Sequence, residues 1–249
     1  MIEYRVFETH DTQYRLTSRS WLLAPTSRSR GLNAGLHLLF HQDGPAYEEF
    51  DPETGALIHE AWVEDLRWSA PLSTIPTLPF RPNRREDTLP AETKYDANSG
   101  IVTFERYTRE GKKHRDGGEP SEIYRDGKTG HVTSWFFYQR GNFARDDNLP
   151  TGQHFSPETG RLLRDEYLKR VNLEPVLDRE DGPALIEYDP ESGRVVREEY
   201  YREDELHRED GPAIIEYDAD GSPIASSFQY FRNGYEVAVE PEEFSPTGP

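Results

Sequence analysis

The sequence contains no cysteine, which excludes disulfides, thiolate metal sites and cysteine nucleophiles together. It has no apolar run long enough to span a membrane, and its first twelve residues are polar, without the apolar centre of a secretory signal. The expected location is therefore cytoplasmic, with no membrane partner. Apolar residues make up only 34% of the 249 and charged residues 31%, a composition suited to a thin body with much surface. Positive charge is scarce too: 29 Lys and Arg stand against 47 Asp and Glu, for a net charge of −18. Such a field repels nucleic-acid phosphates, so direct nucleic-acid binding is not expected and a basic protein partner is. What the chain does have is aromatic residues, 12% in all, led by 14 Tyr and 12 Phe. That supply is too rich for a disordered chain and marks the source of the buried area.

Self-similarity organises most of the chain. Asp-Gly-Pro-Ala occurs at Asp43–Ala46, Asp181–Ala184 and Asp210–Ala213, with looser copies ending at Pro90, Pro120 and Pro150. From Pro45 the prolines are spaced 45, 30, 30, 33 and 29 residues apart, up to Pro212. The long first interval contains a Pro-rich insertion at 68–85 with no periodic pattern. Other markers keep step: an aromatic five residues after most of these prolines, Gly ten after, and a second aromatic seventeen after (Trp62, Tyr107, Phe137, Tyr167, Tyr200). Arg85, Arg115, Arg145, Arg179 and Arg208 share one place before the proline. Residues 1–36 depart from the unit and read as an N-terminal cap, 37–239 as the repeat domain, and 240–249 as a tail.

The physics of one unit is that of a β-hairpin. Asp51-Pro-Glu-Thr-Gly55 and Asp189-Pro-Glu-Ser-Gly193 place a capping oxygen first, then Pro to preset φ, then Gly where φ must be positive. The arms Arg161–Leu168 and Arg194–Tyr201 contain good helix formers. Their counterparts Ile101–Tyr107 and His131–Tyr138 are rich in β-branched and aromatic residues, so strand is expected throughout. One hairpin cannot bury its apolar side alone, whereas a stack can. The expected fold is mostly β: an array of β-hairpins in units of about 30 residues, forming an extended antiparallel meander or a β-solenoid.

This hairpin-per-unit plan resembles the MORN-type repeat proteins, and more closely bacterial MORN-like repeat proteins, some of which act as antitoxins or immunity proteins. The likeness rests on Tyr107-Thr-Arg-Glu-Gly-Lys-Lys-His114, Phe231-Arg-Asn-Gly234 and the stretch from Tyr201 to Ala213, and it covers about residues 37 to 239. The dense glycine pattern of the MORN unit is missing and the period is longer. The resemblance implies protein binding, and it transfers no catalytic residue.

No constellation that carries chemistry stands out. His41, His114 and His207 read as one repeat position with an acidic residue two or three places on, and Arg84, Ala144 and Asp178 replace them elsewhere. That pattern fits a junction better than a catalytic base. The acidic clusters lack EF-hand spacing and the glycines form no phosphate loop. No enzyme activity, metal or cofactor is expected. A binding surface is, with anchors nominated on two grounds. Consecutive strand residues face opposite sides, so Trp135-Phe-Phe-Tyr138 has more aromatics than one face needs, which nominates Trp135, Phe136 and Tyr138. The insertion nominates Trp68, Phe80 and Arg81 on an irregular loop. The function these features suggest is an immunity- or antitoxin-type inhibitor. An acidic nucleic-acid mimic of phage type and a structural or adaptor repeat protein are the alternatives.

Overall fold

The computed structural model describes residues 4–23, 37–39, 41, 43–63, 71–72, 83, 88–145 and 148–238. Among them there is no α-helix; a 3-10 turn lies at Ala225–Ser227. The chain divides into two compact units at Gly141/Asn142.

The first unit contains β1 (Tyr4–His10), β2 (Leu16–Leu23), β3 (His37–Leu39), β4 (Tyr47–Phe50), β5 (Leu57–Ala61), β6 (Pro71–Leu72), β7 (Glu92–Tyr95), β8 (Val102–Arg106), β9 (Thr108–Arg109), β10 (Lys112–Lys113), β11 (Glu122–Arg125), β12 (Val132–Phe136) and β13 (Tyr138–Gln139). Its main sheet runs β12-β11-β8-β7-β5-β4-β2-β3-β6, with β1 along the other side of β2, and every pairing is antiparallel. The second contains β14 (Asn142–Phe143), β15 (Gly152–Phe155), β16 (Leu162–Glu166), β17 (Leu168–Val171), β18 (Glu174–Leu177), β19 (Leu185–Tyr188), β20 (Val195–Glu199), β21 (Tyr201–Arg202), β22 (Glu205–Leu206), β23 (Ile214–Glu216), β24 (Phe231–Arg232) and β25 (Tyr235–Glu236). Its sheet runs β23-β20-β19-β16-β15, again antiparallel throughout. Of the two architectures expected this is the meander, and neither unit's sheet closes on itself. The arms with helix-friendly residues are strands, β16 and β20, because each lies between two paired neighbours.

Five hairpins, β4–β5, β7–β8, β11–β12, β15–β16 and β19–β20, share one anatomy. A four-residue arm leads to a turn and a five-residue arm returns, with a register shift just before the turn. Asp51 Oδ1 accepts the N–H groups of Glu53 and Thr54, and Gly55 closes the turn at φ 71°. Asp96, Asp126 and Asp189 repeat the device, and these backbone hydrogen bonds hold their carboxyls below the usual range.

Each first arm is entered through a small residue after the proline. Ala46, Ala91, Ser121, Ala184 and Ala213 are fully buried, and Thr151 nearly so. The N–H of Ala46, Ala91 and Ala184 donates to the far arm of its own hairpin (Ala61, Arg106, Glu199), while the carbonyl accepts the N–H of the preceding aromatic (Trp21, Trp62, Tyr167). Ser121 also clamps forward, its hydroxyl donating to the Tyr138 carbonyl and accepting the Tyr138 N–H.

Connectors form short hairpins off the main sheet: β9–β10 after β8, β17–β18 after β16 and β21–β22 after β20, with β24–β25 following β23. Their two-residue loops hold positive φ at both positions, at Glu110-Gly111, Asn172-Leu173, Glu203-Asp204 and Asn233-Gly234. That is the turn whose twist matches antiparallel strands. Arg140-Gly141 has the same backbone.

Apolar packing is thin. One core cluster consists of Leu22, Ala46 and Val63 under Tyr47, and Val63 bridges Asn83, fully buried, across the ends of the insertion. One sheet face of the first unit is tied instead by a row of charges: Glu49–His59–Glu92–Arg106–Glu122–Lys113. Arg106 donates to Glu92 at 2.6 Å and to Glu122 at 2.8 Å, His59 stands 3.0 Å from Glu92, and Lys113 is 2.8 Å from Glu122. The side chains of Glu92 and Glu122 are only 8% and 3% exposed. Burial pushes the Glu92 carboxyl up, but the hydrogen bond from His59 and the charge of Arg106 outweigh it and hold it below its usual range. Phe104, Tyr124 and Phe136 meet along the same face, Phe104 tilted against Tyr124 and Tyr124 edge-on to Phe136.

Candidate protein-interaction surface

At the end of the sheet opposite the Asp-capped turns lie the junctions. The junction guanidinium lies over an aromatic ring eight to twelve residues earlier: Arg115 over Tyr107 at 3.8 Å, Arg179 over Tyr167 at 3.6 Å and Arg208 over Tyr200 at 3.9 Å. Its free edge donates to the proline carbonyl ahead, Arg115 to Pro120, Arg145 to Pro150, Arg179 to Pro183 and Arg208 to Pro212. The Gly of Asp-Gly-Pro packs close against this guanidinium. A Cβ on Gly182 or Gly211 would stand 3.1 Å from the guanidinium carbon.

His41 belongs to this arginine position, not to that of His114 and His207. Its ring stacks on Trp21 at 5.1 Å, its Nδ1 lies 3.1 Å from the Pro45 carbonyl, and a Cβ on Gly44 would collide with it at 2.6 Å. Trp21 thus makes the junction contact within the segment read as a cap.

His114 and His207 do something else. Nδ1 of His207 accepts the N–H of Asn233 at the tip of the next short hairpin, and Nδ1 of His114 accepts that of Arg140. Nε2 of His114 donates to Asp116, whereas Nε2 of His207 stands 3.1 Å from Glu209 without hydrogen-bond alignment. Asp178 replaces the imidazole between β18 and β19 and accepts the N–H of Glu203. These side chains latch one short hairpin to the next.

Between consecutive junctions the surface is concave. In the second unit a cleft of about 520 Å³ lies between the turns Arg179–Gly182 and His207–Asp210, with Tyr200, Tyr201 and Arg202 behind it. Arg179 and Arg208 are committed to their rings and carbonyls. Glu180 and Asp181 are exposed and make no ion pair among the described residues. Glu209 and Asp210 are exposed as well, 72% and 86% at the side chain. The first unit has a cleft of about 540 Å³ bounded by Arg109, Glu110, Lys112 and Arg140. That cleft lies at the short hairpins and not between junction turns, and its lining is mostly basic.

Of the nominated anchors, Trp68, Phe80 and Arg81 lie outside the described residues. Trp135 and Phe136 are half-buried, Trp135 set edge-on to Phe137 at 6.3 Å. Tyr138 is only 7% exposed, its ring under the Lys113 ammonium at 4.4 Å. Among the described residues no group of three or more His, Cys, Asp or Glu is disposed to hold a metal, and no helix is long and apolar enough to cross a membrane.

One exposed residue was legible yet overlooked. Leu173 sits at the tip of β17–β18, whose arms of four residues are twice the length of the other short hairpins, and it is 76% exposed at φ 74°. The corresponding places hold Gly111, Gly141, Asp204 and Gly234. A branched apolar side chain there gains no burial and strains the backbone by about 1–2 kcal/mol. Leu173→Gly should therefore stabilise the second unit by about 0.5–1 kcal/mol in denaturant titration, the gain being reduced by glycine's greater chain entropy. A loss of stability would mean that Leu173 packs.

Compared with the models of known protein families and with curated proteins, the chain matches none. The surface alone carries the functional reading.

Proposed function

We propose that this chain is a non-enzymatic binding protein of immunity or antitoxin type, which neutralises a basic protein by direct contact. Its repeating unit would be one long hairpin plus one short hairpin, about 30 residues, with the junctions as fixed frame and the clefts and tips as variable surface. The observation that carries this reading is the acid-rimmed cleft of the second unit. Arg179 and Arg208 are already engaged and Arg202 stands exposed behind them, so the rim offers Glu180 and Asp181 as open carboxylates, placed to receive a Lys or Arg. Leu173, Trp135 and Phe136 supply apolar contact, and Trp68, Phe80 and Arg81 keep their sequence-based nomination. The nucleic-acid-mimic reading is less well supported. The capped turns recur every second strand, about 9.5 Å apart, against one phosphate per roughly 3.4 Å of axis on each DNA strand.

The test is association kinetics with the partner recovered from native lysate. Glu180→Lys with Asp181→Lys should slow association at least tenfold at low salt and leave the fold intact. Raised salt should slow the wild type towards the same rate. Association indifferent to both changes, or an acidic partner, would overturn the proposal.

A further inference from the structure

β1 is an open edge. It pairs with β2 on one side over all seven residues, and every side chain from Arg5 to His10 is exposed, including Val6 at 51% and Phe7 at 43%. Which of its backbone groups point outward follows from β2. The N–H of Trp21 donates to Ala46 on the far side. Ser18, Ser20 and Leu22 therefore direct theirs towards β1, where they stand opposite Thr9, Phe7 and Arg5. Val6 and Glu8 are left with their N–H and C=O groups facing solvent. Edges of this length are normally blunted by lysine, proline or a bulge. Here the register shift comes only at Thr9/His10, beyond the central stretch.

We propose that β1 is a self-association edge, joining two copies of this chain through antiparallel β1–β1 pairing about a two-fold axis at Phe7. Faces are preserved across such an axis, so only residues of equal parity can stand opposite one another. The outward backbone groups allow such pairings, and overlap of all seven residues of β1 selects the one centred on Phe7. Val6 exchanges both hydrogen bonds with Glu8 of the second copy, and Glu8 does the same with Val6. Phe7 meets Phe7 as a non-hydrogen-bonded pair, the arrangement in which side chains approach most closely. Arg5 falls diagonal to the second Phe7, within reach of its ring face. Charge supports a second copy as the occupant. Between Arg5 and His10 there are one Arg and one Glu, and that Glu8 is held by Arg19 at 3.0 Å. Two bodies of net charge −18 can meet here without opposing carboxylates.

The absence of native cysteine makes the register directly testable. In Phe7→Cys the two Cα atoms would stand about 4.5 Å apart, within the span a disulfide needs. In Val6→Cys the two thiols lie two residues out of register, beyond a roughly 7 Å limit. Mild oxidation of the full chain should give a covalent dimer with Phe7→Cys and at least tenfold less with Val6→Cys. Sedimentation of the wild type over a concentration series should show a monomer–dimer equilibrium, and Val6→Pro, which removes an outward N–H and leaves the β2 pairing, should remain monomeric. The proposal falls if the wild type is monomeric up to about millimolar concentration, if Val6→Pro still dimerises, or if the two cysteine variants cross-link equally or not at all.

Discussion

Arg106→Met is expected to destabilise the first unit by about 3 kcal/mol, because it leaves two buried carboxylates short of a partner. Glu92 retains His59 and Glu122 retains Lys113, which keeps the loss at the low end for a broken buried pair. The triple variant Glu92→Gln, Arg106→Met, Glu122→Gln should recover much of it, since removing all the charges avoids the desolvation penalty. Denaturant titrations of the three proteins decide the matter, and a loss below about 1 kcal/mol for Arg106→Met would show that water reaches the row. The same carboxylates set the acid limit. Glu92 and Glu166 are depressed in the fold, Glu166 because His154, 3.1 Å away, and Arg164 overcome its burial. Their contribution is complete above the ordinary value of 4.5 and is lost as the pH falls through the lower folded one.

On the alkaline side the expected result is cooperative unfolding between pH 10 and about 12. Burial first, and then neighbouring carboxylates, push Tyr47, Tyr95 and Tyr124 from 10 up to about 12. Tyr188, Tyr201 and Tyr217 move further in the same direction, because each is half-buried and donates its hydroxyl to a carboxylate: Asp165, Glu199 and Glu198 respectively. The fold thus favours the neutral phenol. A raised folded value means the stabilisation is whole below pH 10 and is withdrawn as pH climbs towards the folded values. Phenolate absorbance and far-ultraviolet circular dichroism, followed together over pH, should change in one step. Phenolate forming near pH 10 with the sheet intact would refute this.

Much of the sheet was legible because its turns are local chemistry. Asp-Pro-Glu-Thr-Gly specifies its own hydrogen bonds wherever it stands, and helix-friendly arms such as Arg161–Leu168 could be read as strand from their better-marked copies. The short hairpins were harder to read. Glu203-Asp204 adopts positive φ without glycine, held by the Asp178 carboxylate and by Asp204 bonding Leu177. Nothing within two residues announces that support. His41 was misplaced because loop length varies: the junction cation stands four residues before Pro183 and Pro212 but five before Pro120 and Pro150. Counting back four from Pro45 reaches His41 and the correct role. The acidic cleft was not readable from the sequence, since its walls come from junctions 29 residues apart in the chain. That distance becomes contact only when consecutive hairpins lie side by side.

The meander also fixes how far the chain must search to fold. Glu92 meets Arg106, Arg106 meets Glu122, and Leu185 meets Glu199, so pairing partners are never far apart along the chain in these hairpins. Relative contact order is then nearer the roughly 0.1 of helical bundles than the roughly 0.2 of β-sandwiches. Loop-closure entropy is small for each pairing, and a formed hairpin is a template for the next on either side. This mostly β protein has the folding topology of a fast folder, able to begin at any hairpin and grow outward.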